Sequence, residues 1–130
     1  MPEPVPSPDP PWTLTYADGS GNVYGFEADG AGVRFTYEPV TPARSSTGTY
    51  SGGEPVDERL AADDPRVATL WRHARALEAD TAQHASERNK GDGAFTVTED
   101  DRRRRFLVVR AATRSLEAFL ERDLRRLADR

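Results

Sequence analysis

The stretch WTLTYADGSGNVYGFEADGAGVRFTYE, residues 12–38, decides the fold class of this chain. Its large apolar side chains recur at every second position, and Trp12, Leu14 and Tyr16 alternate with two threonines. This period is typical of a strand with one buried face. The interruptions ADGSG and DGAG contain the Asp and Gly residues that tolerate positive φ in tight turns. The segment therefore predicts a meander of three antiparallel strands with one face in water.

Two helices and a second hairpin are predicted beyond the meander. Asp64 followed by Pro65 indicates a helix start, because an N-cap oxygen precedes a proline in the first turn. Apolar residues at helical spacing extend this helix to about Asn89, and Gly91 is expected to end it. AFTVTE and RFLVVR, which flank a polar DDRR, predict a hairpin, and a leucine stripe from near Thr113 predicts the last helix.

The order of these elements predicts an α+β fold. We expect an antiparallel five- to six-stranded sheet, a β-meander plus a C-terminal hairpin, with two helices packed on one face. Residues 1–11 contain six of the ten prolines and are expected to form a disordered tail, which leaves 12–130 as a single α+β domain. The expected core consists of Trp12, Leu14, Tyr24, Phe26, Phe35, Trp71, Leu77, Phe95, Val97, Leu116 and Phe119.

Composition excludes several classes of function. The chain has no cysteine, which removes disulfides, thiolate catalysis and cysteine-rich metal sites. It has no apolar run long enough to cross a bilayer and no visible secretory signal, so a cytoplasmic location is expected. Arginine supplies 17 of the 18 basic residues, which is typical of a GC-rich bacterial genome. No metal or cofactor is expected.

Charge is unevenly distributed along the chain, although the net value is only −4. Residues 1–64 carry 3 basic and 11 acidic side chains, a net charge of −8, whereas 65–90 and 91–130 each carry +2. Such a distribution could steer a partner, or it could reflect only the different solvating compositions of strands and helices.

The segment SSTGTYSGG, residues 45–53, has two interpretations. It could form a fourth, edge strand, or its glycine backbone and hydroxyl groups could bind an anion together with cations near the end of the first helix. In a catalytic version His84 would be the acid–base group and Arg88 and Lys90 would hold the anion. The candidate ligand-binding residues are Ser45, Ser46, Tyr50, Ser51, His84, Arg88 and Lys90.

Other chemical motifs are weaker. On a long helix, His84 could pair with Asp80 or Glu87, but further metal ligands are missing. No nucleophile elbow or phosphate-binding loop is present, so no catalytic residue is assigned. The run Arg102 to Arg105 suggests nucleic acid, but the preceding EDD offsets its charge and alternate arginines in a strand face opposite ways, so nucleic-acid binding is not expected.

The sequence therefore predicts a small, non-enzymatic binding or interaction protein. We expect a protein partner, or self-association, through an edge strand or through a threonine-rich sheet face. The alternative is an anion- or phosphoester-recognising protein, in a purely binding or a catalytic version, that uses residues 45–53 with His84, Arg88 and Lys90. The threonines expected on the solvent-exposed face of the sheet are Thr13, Thr15, Thr36, Thr96 and Thr98.

Overall fold

The computed structural model describes residues 8–41, 43, 48–49, 51–87 and 91–129. The strands are β1 (Trp12–Gly19), β2 (Val23–Asp29), β3 (Gly32–Glu38), β4 (Val56–Leu60), β5 (Gly91–Glu99) and β6 (Arg102–Val108). The helices are α1 (Pro65–Ala79) and α2 (Arg114–Phe119). Short 3-10 turns precede β5 (Thr81–Gln83) and α2 (Arg110–Thr113), and α2 continues through a π-type segment (Leu120–Leu124) and a 3-10 segment (Arg125–Asp129).

The six strands form one antiparallel sheet in the order β4-β3-β2-β1-β5-β6. The first three strands are the predicted meander, and β5 with β6 is the predicted hairpin. Asp100 and Asp101 form its turn, both at positive φ (52° and 59°), which twists in the sense that the flanking strands require. The α+β class and the antiparallel sheet are confirmed.

Strand alternation creates two different sheet faces. On the helix side the register aligns one row across the whole sheet, namely Val56, Tyr37, Tyr24, Tyr16, Phe95 and Phe106. The apolar stripe of α1 packs over this side, with Leu70 and Trp71 fully buried, and α2 contributes Leu116 and Phe119. Every residue of the expected core is buried except Leu77, which is half-buried at the rim.

Helix α1 starts as predicted but is shorter than predicted. The Asp64 side chain accepts the Arg66 N–H at 2.8 Å, as an N-cap should. The helix ends at Ala79 rather than near Asn89, because the chain turns away and pairs with the edge of β6. Gly91 consequently starts β5 instead of ending the helix.

The fourth strand is the segment VDERL of β4, not residues 45–53. Val56 and Leu60 supply two side chains for the core face, whereas the described residues of 45–53 offer none and adopt no strand. Burial of apolar side chains therefore decides which segment joins the sheet. Within the described part of the chain, no helix is long and apolar enough to cross a membrane.

Candidate functional site

The end of the segment 45–53 is fixed against the sheet by its backbone. Gly52 donates its N–H to the Val40 carbonyl at 2.8 Å, and its own carbonyl accepts from the Tyr37 hydroxyl and from Arg125, each at 2.5 Å. The N–H of Gly52 is thus already used within the chain. A β-carbon at this residue would lie 2.0 Å from Asn22 Oδ1, so only glycine fits.

Several predicted ligand-binding residues fall outside the described part of the chain: Ser45, Ser46, Tyr50, Arg88 and Lys90. Ser51 is described and exposed, and its Oγ accepts the Gly53 N–H at 3.2 Å. The anion-binding hypothesis for these residues stays a prediction.

His84 does not belong to the helix on which the sequence analysis placed it. It forms an isolated antiparallel bridge with Val108 beyond the end of α1, so the predicted helix placement is wrong and helical spacing no longer relates it to Asp80 and Glu87. Its Nε2 lies 2.9 Å from the Leu77 carbonyl oxygen. Because a carbonyl only accepts, Nε2 carries the proton of this hydrogen bond.

The β1–β2 turn lies between the two segments that the anion hypothesis would join. Gly52 abuts Asn22 on one side of this turn, and Gly19 pairs with Gly91 on the other. Asp18 holds the turn, since its carboxylate accepts the Asn22 backbone N–H at 3.0 Å and the Asn22 side-chain amide at 2.9 Å. Gly52 and Gly91, one described residue of each segment, therefore lie at the same end of the sheet but on opposite sides of the turn.

A recess of about 170 Å³ opens beside this turn and is lined in part by Glu117 and Arg110. Glu117 accepts the Tyr16 hydroxyl at 2.5 Å and the Thr113 hydroxyl at 2.9 Å. The pKa of Tyr16 is raised far above its ordinary value, mainly by burial and to a lesser degree by the hydrogen bond to Glu117 and the charge of Glu117. The phenol is therefore a fixed neutral donor. No three described His, Asp or Glu side chains converge as a metal site.

The sheet face opposite the helices carries the five threonines expected there, all of them half-buried. One row of this face consists of Asp57, Thr36, Gly25, Thr15, Thr96 and Arg105. The missing side chain at Gly25 leaves a shallow depression of about 330 Å³. We call this surface the open face.

Strand β6 forms one edge of the sheet and is only partly covered. The Leu107 carbonyl accepts the Ala85 N–H, and the Val109 N–H bonds to the Gln83 carbonyl, both at 2.9 Å. These groups point away from β5. Because backbone groups alternate along an antiparallel strand, Arg103 and Arg105 present their N–H and C=O outward as well. In the described residues, nothing hydrogen-bonds to these outward groups.

The four arginines of β6 divide between the two faces, as the alternation predicted. Arg104 lies on the helix side and pairs with Glu78 at 2.6 Å and Glu99 at 3.4 Å. Arg103 and Arg105 lie on the open face beside Thr98 and Thr96, and both are exposed. Neither of these two has an ion pair with any described residue, so the uncovered part of the edge is also a cationic surface.

A hollow of about 350 Å³ lies where the covering segment leaves β6. The described chain bends at Ser86 and Glu87, and its backbone hydrogen bonds to the β6 edge are those of Gln83 and Ala85. The hollow is lined by the half-buried rings of His84 and Phe106, which stack with centroids 5.2 Å apart. No local sequence pattern indicates this hollow, because the bridge between His84 and Val108 joins residues 24 positions apart.

The chain matches no protein-family model, and the comparisons with curated proteins and with solved structures find no similar protein.

Proposed function

We propose that this protein is a binding domain that captures an extended acidic segment of another polypeptide by strand addition to β6. The observation that carries the proposal is the outward backbone at Arg103 and Arg105, to which no described residue hydrogen-bonds, flanked by the side chains of those same two residues. An open strand edge offers a row of donors and acceptors to a new strand, and the side chains beside it select the sequence.

The partner's charge follows from the side chains beside the open edge. Residues of an added strand that lie opposite Arg103 and Arg105 share the open face with them, about 5 Å away between β-carbons. Glutamate or aspartate at these two places would form cross-strand ion pairs, whereas lysine or arginine would be repelled. We therefore expect acidic residues at alternate positions of the captured segment.

The opposite edge of the sheet differs in its charge. On β4, Asp57 pairs with Arg34 at 2.7 Å, and Arg59 pairs with Asp29 at 2.5 Å. These charges are neutralised within the sheet, so they provide less attraction for a charged strand. This contrast favours β6 over β4 as the docking edge.

The direct test is a fluorescent, end-blocked nonapeptide, Thr-Thr-Thr-Glu-Thr-Glu-Thr-Thr-Thr, titrated with the full chain at low salt. We expect it to bind at least about tenfold more tightly than its lysine counterpart, and more weakly as salt rises. Methylating the backbone nitrogens of its two glutamates should abolish binding, because those N–H groups would face β6. Equal affinities for the two peptides, or binding that survives methylation, contradict the proposal.

Charge-reversed variants test the location. The double substitution Arg103→Glu and Arg105→Glu should reverse the preference, so that the lysine peptide binds more tightly. Arg126→Glu is the matched control, since Arg126 is also exposed but lies in the C-terminal segment that contacts β4. An unchanged preference in the double variant would place the site elsewhere.

Two other occupants of the edge give distinct results. A second copy would appear as a concentration-dependent increase in mass that the double variant removes. The acidic segment 1–11 of the same chain would appear as peptide affinity that rises when Glu3 and Asp9 are changed to glutamine. Either result overturns capture of another polypeptide.

The anion-binding alternative has its own measurement. Inorganic phosphate should shift the amide signals of Gly48 and Gly91 together and saturably if residues 45–53 and the cations near residue 90 form one site. A flat titration removes that alternative.

A further inference from the structure

Three rings form a stack that runs from the core to the edge of the sheet. Phe95 is fully buried, and Phe106 stacks on it with centroids 4.8 Å apart and planes 11° apart. His84 stacks on Phe106 at an interplanar angle of 16°. The hydrogen bond from His84 Nε2 to the Leu77 carbonyl holds the outermost ring in place. The hollow beside β6 therefore has a rigid aromatic wall.

The register of β6 defines which side chain of an added strand would reach this wall. The covering segment and an added strand would lie in one line along the edge, because both use the outward groups of β6. A residue opposite Arg104 would lie on the helix side, like Phe106. Its diagonal neighbour on β6 is Phe106, at a separation that an aromatic side chain spans.

From this geometry, and resting on the proposed function, we infer that the hollow is a subsite for one aromatic side chain of the captured segment. The preferred partner sequence is then acidic–aromatic–acidic, with the acids opposite Arg105 and Arg103 and the ring opposite Arg104. The ring lies against Phe106 and His84. Aromatic pairs in offset or edge-to-face contact stabilise beyond the area that they bury, which makes this subsite selective for rings over aliphatic side chains.

Two isomeric peptides separate this inference from simple charge attraction. In Thr-Thr-Thr-Glu-Phe-Glu-Thr-Thr-Thr the ring falls on the helix side, and in Thr-Thr-Thr-Glu-Thr-Glu-Thr-Phe-Thr it falls on the open face with the acids. Composition and acid spacing are the same. We expect the first peptide to bind at least about tenfold more tightly and to shift the ring proton signals of His84.

A blocking variant tests the hollow itself. Ser86→Trp adds a ring at a lining position of the hollow that is exposed. It should reduce the tenfold difference between the isomers to less than about twofold, while the peptide without phenylalanine binds as before. Ser115→Trp, at an exposed serine on α2, is the matched control and should keep the difference. Phe106→Leu, which retains an apolar side chain, should lower the affinity for the first isomer alone.

The outcomes distinguish the two proposals. Equal binding of both isomers, with the preference for acid retained, overturns the aromatic subsite and leaves strand addition intact. Absence of binding by any acidic peptide overturns both. Tighter binding of the second isomer, or a difference that survives Ser86→Trp, also overturns the subsite.

Discussion

Each strand places successive residues on opposite faces of the sheet. A cross-strand row of residues on the helix side is therefore followed, one position along each strand, by a row on the open face. One row, on the helix side, runs through Tyr37, Tyr24, Tyr16 and Phe95, all fully buried. The next row, on the open face, runs through Thr36, Gly25, Thr15 and Thr96, all half-buried. The same hydrogen-bonded strands thus hold the core on one side and leave a polar surface on the other. Substitutions on the helix side should therefore affect stability far more than substitutions on the open face.

The largest expected effect is on the helix side. Trp71 is fully buried and meets Trp12 edge-on, with ring centroids 5.0 Å apart. Trp71→Ala should lower the free energy of unfolding by about 3–5 kcal/mol, because it removes this contact and leaves a cavity. Thr15→Ala, on the open face, should cost less than about 1 kcal/mol. Chemical denaturation of both variants measures the difference.

Trp71→Phe is the control for this comparison. The indole Nε1 of Trp71 is buried without a hydrogen-bond partner among the described residues, so the phenyl variant loses volume but removes an unpaired donor. It should cost clearly less than Trp71→Ala. A Thr15 variant as damaging as Trp71→Ala would show that the open face is part of the core.

The next effect concerns the cap of the helix that covers the aromatic face. Asp64→Ala should lower the free energy of unfolding by about 1 kcal/mol at pH 7, because the first turn of α1 loses its side-chain acceptor. Arg66, which hydrogen-bonds and pairs with Asp64, lowers the pKa of that carboxyl below its usual 3.8.

The cap has a defined pH dependence. A lowered native pKa means that the stabilisation is present above pH 3.8 and is lost as the pH falls through the native value. The difference between wild type and Asp64→Ala, measured by urea denaturation, should therefore shrink in acid. A difference that is constant from pH 7 to pH 2 would contradict the charged-cap account.

A smaller effect is expected from the ion pairs, which differ between the helix side and the open face of the sheet. Arg104 and Glu78 join β6 to α1, and their side chains are about one-third exposed (31% and 29%). Arg34 and Asp57 lie on the open face, 51% and 61% exposed. Double-mutant cycles should give a coupling energy of up to about 1 kcal/mol for Arg104 with Glu78, and a smaller one for the exposed pair. Equal couplings would remove this distinction between the faces.

The smallest effect is a shallow pH dependence on the helix side. His73 stacks on Phe119, with centroids 5.6 Å apart, and burial together with the nearby Arg72 charge lowers its pKa below 6.5. The unfolded chain then binds more protons, so stability should decrease as the pH falls below about 6.5. His73→Gln should flatten the slope of unfolding free energy against pH between 7 and 5. An unchanged slope would assign it to other groups.

Much of the fold could be predicted because its signals are local. The alternation around Trp12 and Leu14, the turn residues of the meander and the Asp64–Pro65 helix start each act over a few residues. The end of α1 could not be predicted in this way, since Ala82 and Ala85 continue the apolar spacing, but the chain forms a 3-10 turn and then pairs with β6 through residues 83–85. The candidate site could not be predicted from local patterns either, because the hollow forms between a loop and a strand that is distant in sequence.

The sequence by itself determined which side chains face the helices and which face solvent, because a pleated strand points successive residues to opposite sides. It also determined that neighbouring arginines of β6 separate onto two faces. Only the tertiary structure decided that Arg104 pairs with Glu78 and Glu99 while no described residue forms an ion pair with Arg103 or Arg105, and that Gln83 and Ala85 hydrogen-bond to the β6 edge. Those outcomes depend on which groups, distant in sequence, meet at the edge of the sheet. Such long-range contacts produce no repeating pattern of residues from which they could be predicted.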